Sequence, residues 1–277
     1  MRYWMMITIS ILVLAFGMKL AAAEPDARQL AAKGHDLFLQ VLAGDKAKLA
    51  EAITTMEESR AADPTYVFNL YNLGRIYFFS SGFREPEGIQ KAEQVFAQIM
   101  KLDPKNSHAM AFHGALLTAQ SGGRDLAQFF TGVQEMRKAI EMAPDDINNH
   151  IVMPFTALNF PPEALKAMGN YDPIQDLQFV SKAFDGNKFY YAPHADVVMK
   201  AMVGEVYLQR GGAAEARTQF ESALAVAMPD GTGARAGRKV LDDLIMERMN
   251  GGKSSLRNSV IGTCHACHLS APEKLVQ

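Results

Sequence analysis

The sequence predicts an all-α fold, an α-solenoid of stacked helix pairs. Three observations predict it. Gly34, Gly74 and Gly114 recur at 40-residue intervals. Pro64, Pro104 and Pro144 recur at the same interval, within the similar phrases EESRAADP, FAQIMKLDP and RKAIEMAPD. Between each glycine and its proline lie two stretches in which apolar residues return every three or four positions, the period of an amphipathic helix, separated by a polar break. Helix pairs at a fixed period build a solenoid, because one pair alone cannot bury its apolar face.

The first element is a leader. Arg2 supplies a positive start, residues 5–17 form an apolar run, and Ala21-Ala22-Ala23 gives small residues ahead of Glu24-Pro25. Residues 1–23 therefore read as a signal peptide cleaved near Ala23, which places the mature protein in the periplasm or outside the cell. No later stretch is apolar enough for a membrane span. The chain has 28 basic and 30 acidic residues; the leader removes Arg2 and Lys19 and no acid, leaving 26 against 30. That balance gives no reason to expect a nucleic acid as partner.

Residues 24–149 follow as three helix pairs of 40-residue period. In the second unit the two helices are FNLYNLGRIYFF and KAEQVFAQIMKL, broken by SSGFREPEG. The Asp-Pro pairs at 63–64 and 103–104 fit a cap with proline in the first turn of the next helix. Residues 150–195 break the period and are rich in proline and aromatics. They read as an irregular insertion with helices near Pro162–Met168 and Pro173–Phe184. Its Phe189-Tyr190-Tyr191 cluster with His194 either lines a binding surface or, the preferred reading, plugs the space between two repeat blocks. Residues 196–250 supply a further helix pair and a helix near Ala234–Met249, and residues 251–277 form a tail.

The repeats resemble the tetratricopeptide repeat (TPR) family. Leu73, Gly74, Tyr77, Ala92, Phe96 and Pro104 carry the resemblance, and Val203, Gly204, Tyr207, Ala216, Phe220 and Ala223, with Pro229, carry it better. The later unit matches the family's 34-residue spacing, and the first three are about six residues longer. The resemblance implies a concave surface that holds a protein or peptide partner.

The tail carries GTCHACH at 262–268, with both cysteines of the protein. Two cysteines in so long an exported chain are not a disulfide framework. Cys-x-x-Cys-His is the attachment motif of c-type haem. Two thiols at this spacing reach the two vinyl groups of one porphyrin, and the next histidine turns its ring to the iron. Cys264 and Cys267 are thus the expected thioethers of one covalent haem, and His268 its proximal iron ligand. The phrase resembles the last helix of the cytochrome c-prime family, whose iron keeps an open position for small ligands. LSAPEKLVQ after His268 contains no Met, His or Cys. The expected iron is therefore five-coordinate, or else takes Met228, Met246, Met249 or His194 from upstream. Other readings of the motif are a Cys2His2 zinc or copper site that includes His265, a dithiol redox pair, and a plain disulfide.

These features point to a periplasmic mono-haem cytochrome on a protein-binding scaffold, working in electron transfer or in binding small gases or peroxide. The alternative is an adaptor whose CHACH motif is a metal site or disulfide. No Ser-His-Asp order, phosphate loop or His-Glu-x-x-His motif appears, so catalysis is expected only as haem chemistry. The acidic pairs Glu57-Glu58 and Asp242-Asp243 read as solvated helix faces.

Overall fold

A computed structural model describes residues 26–42, 45–81, 85–158, 166, 168–169, 171–185, 195–227 and 232–252. The leader, the Phe189–His194 cluster, Met228 and the whole CHACH tail lie outside the described residues, as does most of the helix expected near Pro162–Met168.

Among the described residues there are eleven α-helices and no strand. They are α1 (Ala27–Leu42), α2 (Leu49–Ala62), α3 (Val67–Ser80), α4 (Pro86–Leu102), α5 (Ser107–Ser121), α6 (Leu126–Met142), α7 (Ile147–Ala157), α8 (Pro173–Asp185), α9 (Ala195–Gln209), α10 (Ala213–Leu224) and α11 (Thr232–Met249). They pack as consecutive pairs, α1 with α2 through α9 with α10, and α11 lies against α10. None is long and apolar enough to cross a membrane.

The repeat glycines are where the paired helices touch. A methyl added at Gly74 would sit 2.8 Å from the Phe96 ring of α4; at Gly204, 2.6 Å from Phe220 of α10; at Gly34, 2.6 Å from Met56 of α2. Met56, Phe96 and Phe220 are all buried. Each first helix therefore lacks a side chain where its partner inserts a large one, a ridge set into a groove. Gly114 is the extreme case, because there the partner is backbone: its methyl would lie 2.5 Å from the Gly132 carbonyl oxygen. The six extra residues of the early units are shared among the first helix, the turn and the second helix, since α4 and α6 have 17 residues and α10 has 12.

Helix ends follow local chemistry. Glu85 caps α4 by accepting from the Glu87 and Gly88 amides at 2.8 and 2.6 Å, with Pro86 in the first turn. Asn106, Asp125 and Asp146 cap α5, α6 and α7. The Asp-Pro pairs do not begin helices as the sequence suggested. Asp63 and Asp103 end α2 and α4 in extended backbone (φ −142° and −137°), as the residue before a proline must. Their carboxylates then accept from the Thr65 and Lys105 amides at 2.9 and 3.0 Å, shaping the turn.

A second difference lies at 150–157. The expected irregular insertion begins with helix: α7 covers this stretch and pairs with α8 as a fourth unit. The 40-residue register continues through position 154, but the residue there is proline, so the sequence signal fades. Pro154 lies inside α7. The helix expected over Pro173–Phe184 is present as α8, and that near Ala234–Met249 as α11.

The Gly114 contact yields a prediction. Gly114→Ala should lose about 1–3 kcal/mol of stability by chemical denaturation, since the Gly132 backbone cannot step aside. Gly74→Ala should lose less, because there a side chain, the Phe96 ring, and not backbone, must give way. Equal stability of Gly114→Ala and the parent protein would contradict the contact.

Candidate functional site

Of the tail ligands and their upstream candidates, Met246 and Met249 are described, both in the last turns of α11. Met246 is 47 % exposed. Met249 packs against the apolar cluster of α7–α11. His194, Met228, Cys264, Cys267 and His268 lie outside the described residues.

What the structure gives for the tail is its point of departure. Among the described apolar side chains of α11, Leu241 and Ile245 are buried, and two arginines add directional anchors. Arg238, 1 % exposed, donates to the carbonyls of Ala223 (3.3 Å), Leu224 (3.1 Å) and Ala227 (3.2 Å), acceptors at the end of α10. Its Nε donates to Asp242 at 2.7 Å. Arg248 donates to both carboxylate oxygens of Glu205 of α9, at 2.8 and 3.2 Å, and Glu205 is buried. The Glu205 hydrogen bond raises the Arg248 pKa further above its ordinary range. α11 then stops at Gly251 in the left-handed region (φ 81°). The Gly252 amide reaches back to the Glu247 carbonyl (2.9 Å) and that of Gly251 to Arg248 (3.2 Å), a Schellman closure that only glycine adopts without strain. The acidic pairs are thus half structural: Asp242 holds Arg238, and Glu57 accepts from the Tyr77 hydroxyl, while Glu58 and Asp243 are exposed.

A second polar cluster joins α3, α5 and the start of α7. Phe68, Tyr71, Asn72 and Arg75 lie at the spacing of one face of α3. The Arg75 guanidinium lies 4.9 Å from the Tyr71 ring centre and 5.8 Å from that of Phe112. Phe112 stacks on Phe96 at 5.1 Å. His108 Nε2 pairs with Asp146, and the His108 ring lies 5.9 Å from that of Tyr71. Burial pushes Asp146 up, but the His108 hydrogen bond and charge, with the Asn148 donors, outweigh it and hold the carboxyl below its usual range. Burial pushes the Tyr71 phenol up to about 12, and its hydroxyl finds no hydrogen-bond partner among the described residues. Every residue of α3 from Phe68 to Phe78 is buried. This helix therefore offers no exposed face, although a concave repeat surface would use it.

Sequence reasoning passed over Arg75 and Glu205, although a signal existed. Each stands directly after a repeat glycine, a charged residue in a mostly apolar helix.

No protein-family model matches the chain, and no curated protein matches it. Among solved structures it is similar to YrrB, described as a TPR protein with an unusual peptide-binding site, at 15% identity and a TM-score of 0.39, over 73% of this chain and 89% of that one. The chain's own glycine contacts define an all-helical array of closely paired helices.

The Arg248–Glu205 pair is open to test. Arg248→Ala should cost about 3 kcal/mol by denaturation, because it strands a buried carboxylate. Adding Glu205→Gln should recover part of that loss. A loss that the second change does not reduce would show that α11 is held by apolar contacts instead.

Proposed function

We propose that this protein is an exported helical-repeat scaffold for a protein partner and that it carries one covalent haem in its tail. The observation that carries the reading is the Cys-x-x-Cys-His order, which uses both cysteines of the chain. Its donor set fits the group: Cys264 and Cys267 would form the two thioethers, and His268 would bind the iron. A zinc site fits less well. Four donors within five residues crowd a tetrahedron. When bound, haem supplies one-electron redox chemistry and an iron site for small ligands. The repeats would hold the partner, and α11 fixes where the tail leaves the array.

The second axial position is proposed to be open. Among the described candidates, Met249 is committed to packing, which leaves Met246 as the rival donor.

Two measurements decide. Protein made with a haem-maturation system should keep one haem under denaturing mass spectrometry, and Cys264→Ala with Cys267→Ala should lose it. A colourless parent protein would instead support the adaptor reading, with CHACH as a metal site or disulfide. The ferrous protein should be high-spin and bind carbon monoxide rapidly and completely, with Met246→Ala behaving alike. A low-spin ferrous spectrum indifferent to carbon monoxide, made reactive by Met246→Ala, would refute the open position and assign Met246 as ligand.

A further inference from the structure

Two apolar clusters make up the core, and α7 belongs to both. Val152, Met153 and Ala157 pack into the cluster of α1–α6. Ile147, Ile151 and Phe155 pack into the cluster of α8–α11. The two repeat blocks therefore meet on one short helix. Each side of that helix also carries a histidine–aspartate pair. His108 of α5 meets Asp146, the cap of α7, and His150 of α7 meets Asp176 of α8.

His150 is the more constrained of the two. Its Nδ1 lies 2.6 Å from Asp176 Oδ1, and its Nε2 lies 2.8 Å from the Pro144 carbonyl oxygen. Both neighbours are acceptors. A neutral imidazole has one N–H and can satisfy only one of them; an imidazolium satisfies both. The ring is largely buried, and Phe179 of α8 lies 4.3 Å from it, centre to centre. Asp176 is itself held, since its other oxygen accepts from the Tyr171 hydroxyl.

The helix is weak at this residue. In a regular helix the carbonyl of residue 150 accepts from the amide of residue 154. Pro154 has no amide hydrogen, so that bond is missing. The side chain of His150 thus fastens α7 where its backbone ladder is broken.

We infer that His150 is a proton-operated clasp on the helix the two blocks share: protonated, it ties the start of α7 and Asp176 of α8 together, and deprotonation frees one of its two bonds and lets α8 open from α7.

The charges around the ring favour the locked form. Asp176 faces it from α8 and Asp146 from the start of α7 itself, where Asp146 is paired with His108 of α5. Tyr171 acts on Asp176. Arg137 of α6 is held at the Met168 carbonyl, and Arg210, just past the end of α9, is held by Asp172 at 2.8 Å. Burial lowers the His150 pKa, but the Asp176 and Pro144 hydrogen bonds and the two aspartate charges outweigh it and raise it above the ordinary 6.5. The sign follows by linkage. The clasp is fully closed below pH 6.5, and its contribution is lost as pH rises through the raised folded value. Between those two points the opening equilibrium climbs by up to tenfold per pH unit, and it is flat on either side.

The test uses the full chain. Ring resonances of His150 should titrate with a midpoint above 6.5, and Asp176→Asn should move that midpoint down. Hydrogen exchange of α8, corrected for intrinsic rate, should show opening that rises with pH in that window, while α1 and α2 stay level. His150→Gln keeps a neutral donor and should abolish the pH dependence of α8. The clasp is refuted if His150 titrates at or below 6.5, if α8 opening is level from pH 6 to 9, or if α1 and α2 open in step with it. Persistence of the pH dependence in His150→Gln also refutes it. Should that variant fail to fold, the titration and the exchange of the parent protein still decide.

Discussion

The close approach of two helices at a glycine is the contact on which the rest of the array depends. Where Gly34, Gly74 and Gly204 leave a gap, Met56, Phe96 and Phe220 fill it. The pair can then sit close enough for its neighbours to close over it. The consequence is visible in α3, where every residue from Phe68 to Phe78 is buried. A helix so enclosed must also settle its polar groups inside the protein. Asn69 does so in part, its amide N–H donating to the Met56 carbonyl at 2.9 Å, and Asn149, in the corresponding place on α7, donates to that of Ala139 at 3.1 Å; the Oδ1 of each accepts from no group among the described residues. Arg75 spreads its charge over the Tyr71 and Phe112 rings. Tight pairing thus turns positions that would line a repeat groove into core.

Most of the fold is legible in the sequence because repetition multiplies weak signals. One glycine says little; three at equal spacing, each ahead of a proline, define a period. The period is lost where its punctuation changes. Position 154 is in register, but it carries proline, and α7 appears in the sequence as the start of an irregular stretch. The Asp-Pro pairs were misassigned for a related reason. Composition gives aspartate and proline as cap and first turn, but the proline forces Asp63 and Asp103 into extended backbone, which ends a helix. Polar anchors between distant residues are the least legible. Tyr77 with Glu57, and Arg248 with Glu205, join residues 20 and 43 positions apart, a pairing that no local pattern encodes.

The tail motif has the opposite character. Its chemistry is local, with thiol, thiol and imidazole within five residues, so it can be read without a fold. The scaffold contributes the place from which the motif is carried.

α11 shows how such a position can be set where apolar area is scarce. Leu241 and Ile245 alone would let the helix slide or roll, because apolar contact is non-directional. Arg238 removes that freedom. It reaches three carbonyls at the end of α10 and Asp242 on its own helix, and those acceptors lie in directions that one placement of the guanidinium satisfies. Arg248 repeats the device one helix further in, on both oxygens of Glu205 of α9. Burying these charges brings little net stability compared with an apolar contact of the same size. What they bring is a unique register. A roll of α11 by one residue would break both sets of bonds and leave Arg238 and Glu205 buried without partners, so α11 and the Schellman turn that closes it at Gly251 have one position against the array.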